Sequence, residues 1–310
     1  MPVSAECTFV HPALFYSTPA EYLAGTVPFV IGALEAGEPV AVAVPPANLE
    51  LLRRELGADA DRVHLLDMTE VGRNPGRIIP GVLRAFADVH SGVHVRIIGE
   101  PIWAGRSEAE YPACVQHEAL INLAFAGRWA TILCPYDTAS LGPVALADAV
   151  RTHPWLVDGA GEWRASGAYS PDDVVAGYNR ELPEPADAAM LVVDPNGLRG
   201  LRKFVAEAAV RAGLADDRAD DVVLAVTELA SNSVEHARSD ATVLLGRDGD
   251  RLVCQVRDRG HIADPLAGRR PEVPGQTRGR GLLLVNHLAD LVRVHTTPSA
   301  TTVEVRFELG

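Results

Sequence analysis

Apolar residues in the first half of the chain form two alternating kinds of pattern. Short, nearly continuous apolar runs at 40–44, 62–66, 94–98 and 129–134 predict buried strands, because a strand covered on both faces is largely apolar. Between them, apolar residues recur at helical spacing and predict helices at 18–36, 49–56, 75–90, 108–125 and 141–150. The alternation predicts an α/β domain with a mainly parallel sheet.

The second half of the chain has a different order of patterns. Helical spacing at 194–212 and 220–237 is followed by β-rich runs at 241–246 and 251–257, which the turn Asp248-Gly249 joins as a hairpin. A further helix is predicted from 281 to about 290, with strands at 191–193, 291–296 and 301–308. These elements predict a two-layer α/β sandwich.

Composition places the division between the two patterns. Residues 158–189 are rich in glycine, proline and acidic side chains, as interdomain segments often are. We therefore expect domains at 1–157 and 190–310 with a linker at 158–189, a size that suits 310 residues.

Charge and cysteine content restrict the function. The net charge of −13 argues against direct binding of nucleic acid or of an anionic membrane surface, since both require basic patches. No apolar run is long enough for a membrane span and no signal peptide begins the chain, so a cytoplasmic location is expected. The four scattered cysteines favour reduced, mostly buried thiols.

Candidate chemistry is concentrated on the helix 220–237 and the segments after it. Glu228 and Asn232 are one turn apart and share a face, where a carboxylate can activate a nucleophile and an amide oxygen can bind Mg²⁺. Downstream come Asp258-Arg-Gly260 and then Gly279-Arg-Gly281, which opens an apolar helix. Glycines before a helix start allow backbone amides to face phosphate groups.

These three motifs, in this order, make residues 190–310 resemble the GHKL ATPase superfamily, and most closely its anti-sigma-factor serine kinases. The resemblance implies ATP and Mg²⁺ as ligands, with Asn232 on the metal, Glu228 as the catalytic base and Asp258 on the adenine amino group. It implies further nucleotide contacts from one set of residues, namely His236, Gly260, Gly279, Arg280, Gly281, Leu282 and Thr302, with Thr301 beside the last. It also places a short lid at 263–278, whose Arg269, Arg270 and Arg278 would clamp the γ-phosphate.

The first domain offers a second candidate site. Ligands of parallel sheets bind beyond the carboxyl ends of strands, and here those ends carry 67–68, 99–103 and 134–137. Ordinary loop chemistry explains the same residues equally well. Residues 10–155 also resemble the MEDS sensory family, through 21–29, 99–103, 116–122 and 134–137, and this implies a RecA-like fold and a sensory role. The candidate pocket residues are His11, Tyr16, Glu100, Trp103, His117 and Tyr136.

Other site chemistries have less support. Cys7 and His11 are four residues apart, but no second pair at zinc spacing accompanies them. His117-Glu118 is not followed by the second histidine of a metalloprotease helix, and no P-loop is present.

The leading hypothesis is a cytoplasmic regulator in which a sensory domain, with a small-molecule ligand, controls an ATP-binding domain. By resemblance, that domain sequesters a sigma factor, phosphorylates a serine of an antagonist protein, or does both. The alternative is a non-catalytic partner-binding module, which His261 and the short lid favour; a homodimer is left open. A sensor histidine kinase is disfavoured, because His153 precedes Pro154 and no helix pair comes before 194.

Overall fold

The computed structural model describes residues 9–237, 239–272 and 280–309. The chain divides into two compact units, Met1–Tyr178 and Asn179–Gly310, which we call the N-terminal unit and the C-terminal unit. Each unit is described by itself.

The N-terminal unit alternates strands and helices. Its elements are β1 (Pro12–Tyr16), α1 (Pro19–Glu35), β2 (Val40–Val44), α2 (Pro46–Leu56), β3 (His64–Asp67), α3 (Met68–Val71), α4 (Ala85–Val89), β4 (Val95–Gly99), α5 (Tyr111–Ala124), β5 (Ala130–Asp137), α6 (Pro143–Thr152), β6 (Trp155–Val157), β7 (Trp163–Ala165) and α7 (Pro171–Gly177). A 3-10 helix at Gly57–Arg62, a 3-10 turn at Pro75–Arg77 and a π-helical segment at Ile79–Arg84 complete it.

One seven-stranded sheet carries the N-terminal unit, in the order β3-β2-β4-β5-β1-β6-β7. Every pairing is parallel except that of β6 with β7, which confirms the predicted mainly parallel α/β fold. Side chains alternate between the two faces along each strand. Leu14 and Tyr16 of β1 pack with the apolar residues of α1 and α2, whereas His11 and its neighbours on the other face meet α5.

Several elements of this unit differ from the sequence patterns, among them the short strands β6 and β7, which were not predicted. The strand β1 was not predicted, although it lies in the sheet between β5 and β6. The helix predicted at 75–90 is split into a 3-10 turn, a π-helical segment and the short α4. Pro80 lies inside this stretch, and a proline lacks the N–H that a regular helix requires.

The segment 158–189 is not a separate linker in the structure. β7 and α7 belong to the N-terminal unit, and the division falls at Tyr178 and Asn179. From Asn179 onward the chain packs in the C-terminal unit, where Gln255 Nε2 donates to the Pro183 carbonyl at 2.6 Å and Arg257 pairs with Glu184. The glycines and prolines of this segment belong to turns and to a stretch that packs on the sheet. Composition alone cannot distinguish such a stretch from a flexible hinge.

The C-terminal unit is an antiparallel sheet covered by helices. Its elements are β8 (Ala189–Val193), α8 (Leu198–Ala212), α9 (Asp216–Asn232), which continues as a π-helical turn at Ser233–Ala237, β9 (Ala241–Asp248), β10 (Arg251–Asp258), α10 (Gly281–Leu288), β11 (Leu291–Thr297) and β12 (Ala300–Glu308).

The five strands are ordered β11-β12-β10-β9-β8, and all their pairings are antiparallel. Leu201 and Val205 of α8 and Val222 and Val226 of α9 share one core with the inward residues of the sheet, such as Val305. The predicted two-layer α/β sandwich is therefore confirmed. Among the described residues, no helix is both long enough and apolar enough to cross a membrane.

Candidate nucleotide-binding site

A cavity of about 500 Å³ opens in the C-terminal unit between α9, the strands β10 and β12, and the chain that leads into α10. This volume is within the range of small-molecule sites. Its lining includes the predicted residues Asn232, His236, Asp258, Gly260, Arg280, Gly281 and Leu282. Sequence motifs that are about 50 residues apart therefore meet at one site.

Asp258 is held in a fixed orientation at the inner end of this cavity. Ser233 Oγ donates to Asp258 Oδ2 at 2.6 Å, and the Gly260 amide donates to Asp258 Oδ1 at 2.6 Å. A carboxylate can accept about four hydrogen bonds, so further acceptor capacity remains for a ligand donor. An amino group, such as that of adenine, is the kind of ligand group this carboxylate suits.

The backbone beside Asp258 is too close for a side chain. A Cβ added at Gly260 would lie 2.8 Å from Ala237 Cβ, closer than real Cβ contacts. Thr301 pairs with Asp258 across the strands, and its hydroxyl donates to the Gly260 carbonyl at 3.0 Å. A second hydroxyl, of Thr296, lies 2.8 Å from that of Thr301. These contacts fix the Asp258–Gly260 turn as one wall.

Thr302, which the resemblance placed at the nucleotide, does not line the cavity. Successive residues of a strand face opposite sides of the sheet, so Thr301 faces the cavity and Thr302 faces away. The hydroxyl that the resemblance expects on this strand is supplied one residue earlier.

Glu228 and Asn232 lie against the start of α10. A Cβ added at Gly281 would lie 2.9 Å from Asn232 Nδ2 and 3.0 Å from Glu228 Oε2, so a larger residue there would displace the ends of both side chains. The i, i+4 spacing along α9 brings both polar groups to this point. The first turn of α10 has amides without helical partners, which suit phosphate oxygens. An amide oxygen, a carboxylate and a helix start form a donor set that fits Mg²⁺ and a polyphosphate.

The arginines of the predicted lid differ in their surroundings. Arg270 lies at the cavity and forms an ion pair with Asp264 at 3.0 Å. Arg280, also at the cavity, pairs with Glu272 at 3.4 Å. Arg269 is half-buried in the same segment and does not contribute to the lining. Arg278 and Gly279 lie outside the described residues.

The N-terminal candidates do not form one pocket. Tyr16 and Glu100 meet at the carboxyl edge of the sheet, where the Tyr16 hydroxyl donates to Glu100 Oε1 at 3.2 Å and Asn48 Nδ2 donates to Oε2 at 2.8 Å. Burial raises the pKa of Glu100 to about 8, and nearby Asp137 adds to the rise, while the two hydrogen bonds oppose it. Tyr16 and Glu100 are therefore the two predicted pocket residues that meet where ligands of parallel sheets bind, at the carboxyl ends of the strands.

The other four candidates lie elsewhere in the unit. His11 and Tyr136 are on the opposite face of the sheet from Tyr16, and both rings lie beside His153. His117 is buried in α5. Trp103 carries the guanidinium of Arg106 over its ring at 3.9 Å.

Several residues at these sites were not identified from the sequence. Ser233 orients Asp258, and its position directly after Asn232 was the one available signal. Asn48 reaches Glu100 from α2. Glu118, Cys134 and His153 surround His11, but they come from three separate elements, so no local spacing could indicate them.

Comparison with known proteins gives the class of each unit. Residues 10–154 match the model of the MEDS domain (MEthanogen/methylotroph, DcmR Sensory domain), and residues 191–307 match that of the histidine kinase-like ATPase domain. The chain therefore carries a MEDS domain at its N-terminus and a histidine kinase-like ATPase domain of the GHKL kind at its C-terminus. The expected architecture is confirmed.

A particular relative adds to this class assignment. The chain is 26% identical over 140 residues to the serine-protein kinase RsbW of Bacillus cereus, a match that covers 41% of this chain and 83% of the kinase.

Two solved structures also match. The RsbU and RsbW domains of Rv1364c from Mycobacterium tuberculosis are 22% identical, with a TM-score of 0.31, over 40% of this chain and 33% of that one. The histidine kinase AdeS of Acinetobacter baumannii is 10% identical, with a TM-score of 0.25, over 66% of this chain and 98% of that one.

Proposed function

We propose that the C-terminal unit binds Mg-ATP and phosphorylates a serine of a partner protein that antagonises an anti-sigma factor. One observation carries the proposal: the oriented Asp258, Asn232 and Gly281 line one cavity, and Glu228 adjoins that cavity at Gly281. The similarity to the serine-protein kinase RsbW supports the choice of serine as the acceptor.

The two ends of the cavity suit the two ends of the nucleotide. Asp258 would accept a hydrogen bond from the adenine amino group, and Thr301 would support that wall. The start of α10 would receive the phosphates, and Asn232 would hold Mg²⁺, which neutralises phosphate charge during transfer. Phosphoryl transfer depends mainly on such positioning and charge stabilisation.

Glu228 is the residue that we assign to the acceptor serine. It would accept the proton of the serine hydroxyl as the oxygen attacks the γ-phosphorus, and ADP leaves as the bond to the β,γ-bridging oxygen breaks. Its side chain is half-buried and adjoins Gly281, which supports a role beside the phosphates rather than beside the adenine.

The test is phosphate transfer by the Glu228→Gln variant. The wild-type chain, Mg-ATP and candidate antagonist proteins of the same genome should give phosphoserine, measured by mass spectrometry. Loss of a general base typically costs about 10²–10⁴-fold in rate, while ATP affinity should change little. The control is Glu207→Gln on α8, whose exposed carboxylate makes surface pairs with Lys203 and Arg211.

A wild-type rate in Glu228→Gln would remove the base from this proposal. ATP binding without any transfer to a bound antagonist would favour the alternative function, in which the nucleotide only shapes a partner-binding surface.

We further propose that the N-terminal unit regulates this activity by binding a small molecule. The buried Glu100 with Tyr16 and Asn48 at the carboxyl edge of the sheet supports the proposal. Asn48→Ala should change the phosphorylation rate of the full chain by about fivefold or more, since coupling energies between sites are typically about 1–3 kcal/mol. Equal rates for Asn48→Ala, the control Arg54→Ala on the same helix and the wild type would contradict regulation through this site.

A further inference from the structure

Four potential metal ligands converge inside the N-terminal unit. His11, Glu118, Cys134 and His153 each offer one ligand atom, and these atoms all lie within 4.8 Å of one another. All four residues are at most 1% exposed. We refer to them as the buried cluster. The buried cluster lies on one face of the sheet, and Tyr16, which donates a hydrogen bond to Glu100, lies on the other. The cluster is therefore separate from the site at the carboxyl edge.

Three distances within the buried cluster are close to the edge length of a tetrahedral zinc site, and the others are at most 4.8 Å. Glu118 Oε2 lies 3.1 Å from His153 Nε2 and 3.4 Å from His11 Nε2, and His11 Nε2 lies 3.4 Å from Cys134 Sγ. Ligand atoms bound to zinc at about 2.0–2.1 Å in a tetrahedron are separated by about 3.3–3.4 Å, and slightly more where sulfur is involved.

His11 Nε2 and Cys134 Sγ are within hydrogen-bond distance, but the two short contacts with Glu118 lack hydrogen-bond geometry. Within the described part of the chain, neither Glu118 oxygen nor His153 Nε2 has a hydrogen-bond partner of acceptable geometry. Buried polar atoms are nearly always satisfied, so an unsatisfied group of this kind requires an explanation. The atoms approach a common centre rather than one another.

The outer hydrogen bonds of both imidazoles fix which nitrogen faces this centre. Asn122 Nδ2 donates to the Thr152 and Ala119 carbonyls, which turns Asn122 Oδ1 toward His11 Nδ1 at 3.1 Å. His153 Nδ1 lies 2.9 Å from the Ala149 carbonyl. Each Nδ1 therefore faces an outer acceptor, which leaves Nε2 as the ring nitrogen that faces the centre. Histidines that bind metals are oriented in the same way.

Two imidazole nitrogens, a thiol and a carboxylate that converge in this way suit a metal cation between them. The ligand chemistry selects zinc, because thiolate and imidazole together with a carboxylate form a mixed set that Zn²⁺ binds in tetrahedral geometry. Binding releases the Cys134 thiol proton, so the charges of Zn²⁺, one thiolate and one carboxylate sum to zero. A neutral site is what complete burial requires.

We propose that the buried cluster is a structural zinc site with the ligands His11, Glu118, Cys134 and His153. The four ligands come from the segment before β1, from α5, from β5 and from the end of α6. Zinc thus cross-links elements that are distant in the sequence. The protein supplies all four positions, as in structural rather than catalytic zinc sites.

The first test is metal content. The full chain, expressed in zinc-supplemented medium and purified without chelators, should hold one zinc per molecule by elemental analysis. Cys134→Ser should lose most of it. The matched control is Cys114→Ser, a buried thiol of α5 that is not in the buried cluster, and it should keep its zinc.

Cobalt provides the spectroscopic signature. Wild type and Cys114→Ser expressed with Co²⁺ should show a thiolate-to-cobalt charge-transfer band and the visible bands of a tetrahedral ion. Cys134→Ser should lack the thiolate-to-cobalt band. The wild-type spectrum is decisive even where a variant fails to fold.

A stability readout follows from the distribution of aromatic residues. All four tryptophans and six tyrosines lie between residues 16 and 178, so intrinsic fluorescence reports on the N-terminal unit alone. Strong chelation should lower the midpoint of its thermal unfolding. A zinc-free wild type with no cobalt spectrum would overturn the site and leave a proton between Glu118 and the histidines. Zinc bound equally by Cys134→Ser would also overturn it.

Discussion

Glu100 is a carboxyl group whose ionisation opposes folding of the N-terminal unit. It is 3% exposed, and burial raises its pKa to about 8. The unfolded chain ionises this group near the ordinary value of 4.5, so folding takes up a proton between the two pH values. The free energy of unfolding should therefore fall as the pH rises through this window and level off above about pH 8.

Glu100→Gln removes this titration while keeping the shape of the side chain. The stability of the variant relative to wild type should rise with pH by up to roughly 1.4 kcal/mol per pH unit between about pH 5 and 8. The measurement is urea unfolding followed by tryptophan fluorescence at several pH values. The other titrating groups contribute equally to the free energies of unfolding of variant and wild type. A difference between these two free energies that is constant with pH would therefore contradict the raised pKa of Glu100.

Individual site residues were predictable where their partners are close in sequence. Glu228 and Asn232 are one helical turn apart, and Asp258 is two residues from Gly260, so a short motif specifies each group. Thr301 and Thr302 could not be separated, because the side that faces the cavity depends on strand register. The ligands of the buried cluster come from four distant segments, so no spacing could reveal them.

The junction of α9 with α10 is where the helices define the phosphate end of the cavity. Gly281, at the first position of α10, lets the helix start approach Glu228 and Asn232 of α9. Glycine at this position leaves room for both side chains, since an added Cβ would meet their ends and displace them.

Gly281→Ala should displace the Glu228 and Asn232 side chains and weaken Mg-ATP binding by about 1–3 kcal/mol, the cost of disturbed core-like packing. The matched control is Gly200→Ala on α8, where an added Cβ meets nothing within 4 Å. Calorimetric titration with Mg-ATP measures both, and scanning calorimetry checks folding. Unchanged affinity in Gly281→Ala would show that this junction does not hold the phosphates.

Helices and strands with a clear local pattern were predicted correctly, and those that depend on distant partners were not. The period of apolar residues identified α9 and the hairpin of β9 and β10. The strand β1 is short and begins at Pro12, and its place in the sheet is set by pairing with β5, more than 100 residues away. Pro80 interrupts a stretch whose apolar period is otherwise that of one helix.

The molecule as a whole combines two units, each with its own buried core. Separate cores are typical of domains that fold as units. The order of hydrophobic patterns along the chain predicted the change from a parallel α/β unit to an antiparallel sandwich. It did not predict the division at Tyr178, because β7 and α7 lie in a stretch of linker-like composition.

The central claim is that the cavity of the C-terminal unit is a working nucleotide site. The measurement that tests it most directly is calorimetric titration of the full chain with Mg-ATP, for wild type and Asp258→Asn. Asparagine can keep both contacts: its Oδ1 can accept from the Gly260 amide, and its Nδ2 can donate to Ser233 Oγ if that hydroxyl turns its hydrogen to the Leu229 carbonyl. The fold should therefore survive the change.

Wild type should show saturable, one-site binding of Mg-ATP. Asp258→Asn should bind about 1–3 kcal/mol more weakly, because an asparagine Nδ2 cannot accept a hydrogen bond from the adenine amino group. Glu207→Gln should bind as wild type does. Equal affinity in Asp258→Asn, or no binding of Mg-ATP by the wild-type chain, would contradict the assignment of this cavity to ATP.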